Sequence, residues 1–428
     1  MSNGTLNDVK LAGSLWMTRM VARAAAGIGD LAAELDRPHR QQDPYPLYDE
    51  IRRRGPWYRS RLGFYVTASH DVVSALERHP DMTCTMLGGT AGGATSKAAF
   101  PEQHIHPLRD SLAGIDAPDH TRLRRIVAPL FTRKAVAERR RSTVRLADEL
   151  VAALPENEPF DLVERFAVPF PVLVICEMFG LSKVNVPMLA EWGRVIGATA
   201  DGVRTVQQSR ELQETLTAME RFFSDLLEDR RHDPGGDIVS TIVQGSPDDC
   251  DPKDLIALAE LLFVAGFETL TNFVGTTVLA LLDHPEQLEL FRADPDLAPR
   301  VVDESLRFEA PVQTNMRGLL QEAELPGGRL PAGKPIIVLY GGANRDPAVF
   351  EDPNRFDITR TNSGTHMAFG AGPHYCLGAA LARLEGESAL RALFGRFSDL
   401  RQAGPVEWYE SFAVRGAHRL PLIAKRSG

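Results

Sequence analysis

Residues Phe369 to Glu385 read FGAGPHYCLGAALARLE, a glycine-rich approach to one cysteine followed by a helical pattern. Gly370 and Gly372 interrupt regular structure ahead of Cys376, and an alanine- and leucine-rich segment follows Gly378. A cysteine just before a helix N-terminus meets backbone N–H groups and the positive end of the helix dipole, which favour the thiolate. Flanking glycines let the backbone approach a flat ligand closely. The pattern predicts an anionic metal ligand at Cys376, with a buried structural cysteine as the alternative.

This segment resembles the haem-binding signature of the cytochrome P450 superfamily, Phe-Gly-x-Gly-x-His-x-Cys-x-Gly, at every specified position. The resemblance implies a mainly α protein with the cytochrome P450 fold, a helix-rich triangular prism with small β-sheets. In that fold the haem lies between a long distal helix and the helix that follows the cysteine loop. The resemblance therefore implies haem b as cofactor, Cys376 as its iron ligand, and Phe369, Gly370, His374 and Gly378 as surrounding contacts.

Length and composition limit the class of protein and the number of domains. The chain has 428 residues, 43% hydrophobic and 25% charged, as in soluble globular proteins. A formal net charge of -9 argues against a general nucleic-acid binder. The four cysteines form no CxxC pair, which disfavours zinc, iron–sulfur and disulfide frameworks and fits a reducing cytoplasm. Because the resemblance covers nearly the whole chain, we expect residues 1–428 to form a single domain and a monomer.

The N-terminal part, residues 1–40, is predicted to be an extension that contains a surface helix. Its apolar segment from Leu11 to Ile28 is interrupted by Arg19 and Arg23, so it falls short of the ~18 residues that a membrane span needs. Membrane contact by an amphipathic helix is the alternative. Microsomal relatives carry a membrane anchor, so this pattern is similar to that of the soluble bacterial branch and predicts a cytoplasmic protein without an integral membrane segment.

Helical periodicity dominates the rest of the chain. Breaks at Pro, Gly and Asp predict helices over 132–154, 168–179, 184–196, 206–231 and 252–284. Short strands are predicted at 56–58, 64–67, 325–330 and 334–340. Residues 82–113 are rich in Gly, Thr, Ala and Ser, and they are predicted to form a long mobile loop over the substrate pocket.

The long helix predicted over 252–284 contains the sequence AGFET, Ala265 to Thr269. Gly266 costs roughly 1 kcal/mol against alanine inside a helix, so a planar cofactor pressing on small residues would explain it. Glu268 and Thr269 add a carboxylate and a hydroxyl to an apolar wall, which suits proton delivery. They match the acid–alcohol pair of the family's distal helix, and Ala265 matches a cofactor-contacting position. Helix packing by the glycine and a hydrogen-bonded kink are the alternatives.

Two further motifs have a structural interpretation. ESLR places Glu304 and Arg307 three residues apart on one helical face. An exposed ion pair, which would contribute little to stability, is the alternative interpretation. The resemblance instead implies a buried network with Arg355 from the Pro-x-Arg-Phe segment as third member, which fixes the core beside the cysteine loop.

Four further side chains match propionate-binding positions of the family. His120 and Arg124 are four residues apart and share one helical face. Arg317 and His374 complete the set, and Arg suits bidentate capture of a carboxylate. Taken singly, each side chain is also consistent with a solvated charge.

The resemblance also places the walls of a substrate pocket, together with parts of 82–113 and 195–203. These walls are predicted at Leu258, Leu262, Ala265, Val312, Gln313, Phe412 and Val414. They are mostly apolar, which predicts a lipophilic substrate such as a terpenoid, steroid, fatty acid or polyketide.

The implied function is a haem-thiolate monooxygenase that uses O2 and takes electrons from NAD(P)H through a ferredoxin reductase and a ferredoxin. The acid–alcohol pair Glu268–Thr269 argues against a peroxide-driven peroxygenase, and it also argues against a non-catalytic thiolate-haem sensor. A basic cluster just past His120 is a candidate docking site for an acidic ferredoxin. Its members are Lys134, Arg139, Arg140 and Arg141.

Overall fold

Residues 3–85, 104–182, 185–247 and 250–426 are described by a computed structural model, with side chains from residue 8 onward. The helices of the first part of the chain are α1 (Asn3–Gly27), α2 (Pro38–Gln42), α3 (Tyr45–Arg53), α4 (His70–Glu77), α5 (Asp119–Val127), α6 (Arg133–Glu138), α7 (Arg140–Ala152) and α8 (Pro169–Met178). A π-helix at Val163–Ala167 leads into α8.

The second part of the chain contains the longest helices. They are α9 (Val186–Ala198), α10 (Val206–His232), α11 (Ile238–Gly245), α12 (Pro252–Asp283), α13 (Pro285–Ala293), α14 (Ala298–Phe308), α15 (Tyr340–Ala343) and α16 (Ala379–Arg396). Helices therefore dominate the described residues, as expected for a mainly α fold.

The strands form small sheets at the edges of this helical body. They are β1 (Tyr58–Arg59), β2 (Tyr65–Thr67), β3 (Met82–Thr83), β4 (Pro159–Asp161), β5 (Thr314–Leu319), β6 (Ala323–Leu325), β7 (Gly328–Leu330), β8 (Ile336–Leu339), β9 (Phe397–Gln402), β10 (Glu407–Trp408), β11 (Ala417–Arg419) and β12 (Pro421–Arg426). The largest sheet has the order β1-β2-β8-β5-β3, in which only β2 and β8 run parallel. A second sheet has the order β4-β12-β9, and β6–β7 and β10–β11 are separate antiparallel pairs.

Helix α12 crosses the interior and positions the site. Asp251 caps its N-terminus by accepting the N–H of Lys253 at 2.9 Å, and Pro252 occupies the first helical position. Pro285 follows the last turn. Because α12 is apolar on nearly all sides, it packs against α8, α9, α10, α14 and α16 at once. The main hydrophobic core surrounds it.

Helix α1 lies on the surface of this core. Leu11 and Leu15 are buried beneath it, whereas Trp16 and Met17 are exposed on its outer side. An ion pair between Asp8 and Arg210 links it to α10. Among the described helices, none combines the length and the apolar character that crossing a membrane requires.

Several predicted elements need correction. The helix predicted over 132–154 is broken at Arg139 into α6 and α7. The single strand predicted over 325–330 belongs to a hairpin that turns at Gly327, where φ is +88° and a side chain would be strained. The strand over 334–340 pairs with β2 and β5, and it does not pair with that hairpin. The predicted loop over 82–113 begins as strand β3, and most of its remainder, 86–103, lies outside the described residues.

Candidate active site

The cysteine loop is shaped by glycines that contact helix α4. Gly370 and Gly372 have φ angles of +66° and +63°, in the left-handed region that favours glycine. A Cβ on Gly372 would lie 2.1 Å from the carbonyl oxygen of Glu77, so no larger residue fits there. The N–H of Cys376 donates to the carbonyl of Phe369 at 2.9 Å, and α16 begins three residues later. The loop therefore holds Cys376 at the N-terminus of α16, as the sequence predicted.

The surroundings of the Cys376 thiol shift its pKa in opposite directions. Burial raises its pKa, while the backbone N–H of Gly378 and the charges of Arg124 and Arg383 lower it. Burial has the larger effect, while the backbone N–H at the helix start acts in the direction that the sequence predicted. A metal cation at the sulfur would supply the missing positive charge and favour the anion.

One face of α12 opens progressively toward its middle. Leu258 is 0% exposed and Leu262 is 7% exposed, whereas Ala265 is exposed although it lies in the interior-crossing helix. Thr269, one turn further along this face, is partly exposed and its hydroxyl donates to the carbonyl of Ala265 at 3.2 Å. Leu258 was predicted as a pocket wall, but it packs fully inside the core.

Gly266 does not belong to this open face. A Cβ on Gly266 would meet the side chain of Ile175 on α8 at 3.0 Å. The glycine is therefore explained by close packing of two helices, and the prediction that it makes room for a cofactor is wrong. The small residue on the open face is Ala265.

Glu268 faces α9. Its carboxyl lies against the backbone of Gly197 on that helix. Burial raises the pKa of Glu268 to about 8, so the carboxyl is protonated at neutral pH. Glu268 and Thr269 are consecutive on α12, so their side chains leave the helix about 100° apart, and the Glu268 side is covered by α9.

Two histidines predicted from separate motifs meet beside the cysteine loop. The rings of His120 and His374 lie 4.2 Å apart between centroids. His120 Nε2 is buried and has no hydrogen-bond partner within the described part of the chain. Burial lowers the pKa of both rings, that of His374 to about 4, and His374 Nε2 lies 3.9 Å from Asp116 Oδ1. Arg124 donates to the carbonyl of Tyr375 at 2.6 Å.

Arg317 is also beside the loop, but it has protein partners that the sequence did not reveal. Its guanidinium lies 3.1 Å from Glu77 Oε1, and it donates to the hydroxyl of Tyr340 at 3.2 Å. The Tyr340 hydroxyl donates in turn to Glu77 at 2.5 Å, and all three groups are buried. Because Arg317 lowers the pKa of His374, the two side chains are close in space. No sequence motif marks Glu77 or Tyr340.

The predicted buried network around Glu304 is present, but one of its side chains differs from the prediction. Arg307 and Glu304 form a fully buried pair at 2.7 Å. The side chain of Arg355 is exposed, and only its carbonyl takes part by accepting from Arg307 at 3.0 Å. The second guanidinium on Glu304 belongs to Arg360, at 3.5 Å. Arg360 lies five residues further along the same segment, so the motif located the segment but misidentified the side chain.

The remaining predicted pocket residues lie just before β5 and in the segment that precedes β11. Val312 and Val414 form an isolated antiparallel bridge and are partly buried. Phe412 is partly buried and lines a small cavity together with Asn315 and Met316. Gln313 is buried, and its amide donates to the carbonyl of Ala310 at 2.8 Å. Together with Phe412 it lines a second small cavity, so its role as a pocket wall stays a prediction.

The site fits a flat group with carboxylate arms. A Cβ placed on Gly378 would have no heavy atom within 4 Å among the described residues, so space is open beside Cys376. Ala265 is exposed on α12, and α12 packs against α16, which begins after the cysteine loop. The unpartnered Nε2 of His120 can bind a carboxylate when that nitrogen carries the proton.

Comparison with known proteins agrees with this geometry. The family model described as "Cytochrome P450" matches residues 292–407. The chain is 37% identical over 411 residues to a Mycobacterium tuberculosis protein named putative cytochrome P450 140, covering 93% of this chain and 94% of that protein. It is 38% identical over 392 residues to 6-deoxyerythronolide B hydroxylase of Saccharopolyspora erythraea, covering 89% and 96%. The solved structure of the tirandamycin C-bound P450 monooxygenase TamI has a TM-score of 0.79 at 29% identity, covering 90% and 98%.

Proposed function

Because the chain belongs to the cytochrome P450 family and is a P450 monooxygenase, we propose that it inserts one atom of O2 into a C–H or C=C bond of a lipophilic small molecule. The electrons come from NAD(P)H through a ferredoxin reductase and a ferredoxin. The observation that best supports this reaction is the open face of α12, where Ala265 is exposed and Thr269 is partly exposed on the helix that packs against α16.

The cofactor of the family is haem, and the residues around the loop are suited to hold it. Cys376 would ligate the iron, with Phe369, Gly370, Gly378 and Ala265 against the ring. His120, Arg124, Arg317 and His374 would face the propionates. Haem supplies the activation of O2 when bound, and a thiolate ligand favours O–O cleavage by donating electron density. Arg317 is held by an ion pair with Glu77 and a hydrogen bond to Tyr340, so its position does not depend on a bound propionate.

Thr269 and Glu268 are the proposed proton-handling groups. The Thr269 hydroxyl donates to a backbone carbonyl of its own helix, and this bond can be exchanged for one to a ligand in the open space. Glu268 carries a proton at neutral pH, because burial raises its pKa to about 8. A general acid with a pKa near the working pH is well matched to proton delivery. Because no hydrogen bond joins the two side chains among the described residues, the carboxyl under α9 would pass its proton to Thr269 through water.

The substrate is proposed to be lipophilic because the predicted pocket walls Leu262, Ala265, Val312 and Val414 are apolar. The names of similar proteins point the same way. One hydroxylates 6-deoxyerythronolide B, and another binds tirandamycin C. A large oxygenated polyketide is therefore the first substrate class to screen.

Electron delivery is proposed to use the basic surface of α6 and α7. Lys134, Arg140 and Arg141 are exposed there, whereas Arg139 is partly buried. Arg140 lies 3.7 Å from Glu387 of α16, the helix that begins after the cysteine loop. This surface therefore contacts the helix that follows the cysteine loop, and its positive charge suits an acidic ferredoxin.

The test is substitution Thr269→Ala in the holoprotein, assayed with a reconstituted ferredoxin system. We expect NAD(P)H oxidation to continue while its electrons form hydrogen peroxide, with product reduced by about 10²-fold, the usual contribution of a placed proton donor. Thr276→Ala is the control, since that hydroxyl lies on the same helix and bonds only to carbonyls of α12 at 3.0 and 3.2 Å. Unchanged coupling in Thr269→Ala would contradict the role of Thr269. Equally fast turnover of the wild type with hydrogen peroxide alone would favour a peroxygenase.

A further inference from the structure

Helix α9 contacts the proposed acid at a glycine. A Cβ built on Gly197 would lie 1.4 Å from Glu268 Oε1, 2.2 Å from its Cδ and 2.6 Å from Oε2. The carboxyl group therefore occupies the volume where any other residue would place its first side-chain atom. Alanine cannot be accommodated unless Glu268 or α9 moves.

The backbone does not explain this glycine. Gly197 lies in the last turn of α9, and it is not among the glycines with positive φ. Its backbone conformation is therefore one that alanine also adopts. The reason for glycine is therefore the space that it leaves, and Glu268 fills that space.

A second glycine of the same helix provides an internal comparison. Gly193 lies one turn earlier, and its Cβ would come within 2.2 Å of the ring of Phe267. The two glycines thus let α9 approach two consecutive residues of α12. At Gly193 the contact is between apolar groups, whereas at Gly197 it is with the carboxyl of the proposed acid.

We propose that Gly197 is a positioning residue, which seats the carboxyl of Glu268 under α9 and keeps it beside the open face of α12. This inference rests on the proposed function of Glu268 as proton donor. The seat also accounts for the environment of the acid, because α9 covers the carboxyl and its burial raises the pKa to about 8. The same carboxyl raises the pKa of Tyr409, which places that phenol close to it.

Gly197 is also close along the chain to a small cavity. The residue before Gly197 is Ile196, which is buried on the same helix, and the residues that follow lead to the small cavity at Ala200 and Phe412. A displacement of α9 would therefore change the space available to the Glu268 carboxyl.

The test is a set of holoprotein variants in which the clash is created and then relieved. Gly197→Ala puts a methyl group where the carboxyl lies, and Glu268→Asp shortens the acid by one methylene. We expect Gly197→Ala to lower product formed per NAD(P)H by about tenfold, less than the ~10²-fold expected for removal of a general acid. We also expect it to lower the urea midpoint of unfolding. Adding Glu268→Asp to Gly197→Ala should restore part of both quantities.

Gly193→Ala is the matched control. It should lower the urea midpoint through its clash with Phe267, and Glu268→Asp should not reverse that loss. The proposal is overturned if Gly197→Ala leaves both quantities unchanged, or if Glu268→Asp restores neither of them in the Gly197→Ala background. Glu268→Gln separates this outcome from failure of the proposed function. If Glu268→Gln itself leaves coupling intact, the acid role fails, whereas the rescue of the urea midpoint still reports on the seat.

Discussion

Glu260 gives the most quantitative prediction, because its carboxyl is buried in α12 without compensation. The side chain is 0% exposed, and neither oxygen has a hydrogen-bond partner within the described ranges. Burial is the main cause that raises its pKa to about 9, and the charges of Glu220 and Asp110 act in the same direction. The folded protein therefore keeps this proton at neutral pH, whereas the unfolded chain releases it.

The size of the effect follows from linkage between protonation and folding. The ordinary pKa of this group is 4.5, so pH 7 lies about 2.5 pH units above it. At about 1.4 kcal/mol per unit, ionisation of the carboxyl stabilises the unfolded state by about 3 kcal/mol at pH 7. The folded state, in which the carboxyl stays protonated, lacks this stabilisation. Because the folded pKa is raised, this destabilisation is absent below pH 4.5 and grows until pH 9. Glu260→Gln cannot ionise and removes it.

The assay is equilibrium unfolding of the holoprotein in urea at several pH values between 5 and 8. We expect the free energy of unfolding of Glu260→Gln to exceed that of the wild type by an amount that grows by about 1.4 kcal/mol per pH unit. Glu324→Gln is the control, since that side chain is 69% exposed on β6, and its curve should run parallel to the wild type. A parallel curve for Glu260→Gln as well would refute the reasoning.

Two other predictions concern the buried ion pair and the docking surface. Glu304→Gln should lower the free energy of unfolding by about 3–5 kcal/mol, because it leaves a buried guanidinium without its charge partner. Arg355→Ala should change it by no more than about 0.5 kcal/mol, since that side chain is exposed; a large loss would show that Arg355 belongs to the network. Charge reversal at both Arg140 and Arg141 should slow reduction by ferredoxin and flatten its dependence on salt. Charge reversal at Lys425 on β12 is the control. An unaltered reduction rate in the Arg140 and Arg141 double variant would show that ferredoxin does not dock on this surface.

Local sequence was sufficient for the parts of the site that depend on local geometry. The loop before α16 was predictable because Gly370 and Gly372 need left-handed backbone, and both have it. The bounds of α12 were predictable because Asp251 and Pro285 are strong signals for a helix start and stop. The pair of Glu304 and Arg307 was predictable because residues three apart share a helical face.

Contacts between distant segments could not be predicted in this way. Glu77 lies 240 residues before Arg317, and no spacing rule connects them. The orientation of Glu268 depends on how closely α9 approaches, which the sequence of α12 alone does not determine. Arg355 and Arg360 are both near Glu304 in the chain, and only the fold of the intervening turn decides which guanidinium points inward.

The central claim is that Cys376 binds haem iron as a thiolate at the N-terminus of α16. The most direct measurement is the absorption spectrum of the purified holoprotein after reduction and addition of carbon monoxide. We predict the red-shifted Soret band of a thiolate-ligated haem, and we predict that Cys376→Ala abolishes it. A wild-type spectrum without that band, or its persistence in Cys376→Ala, would contradict the account.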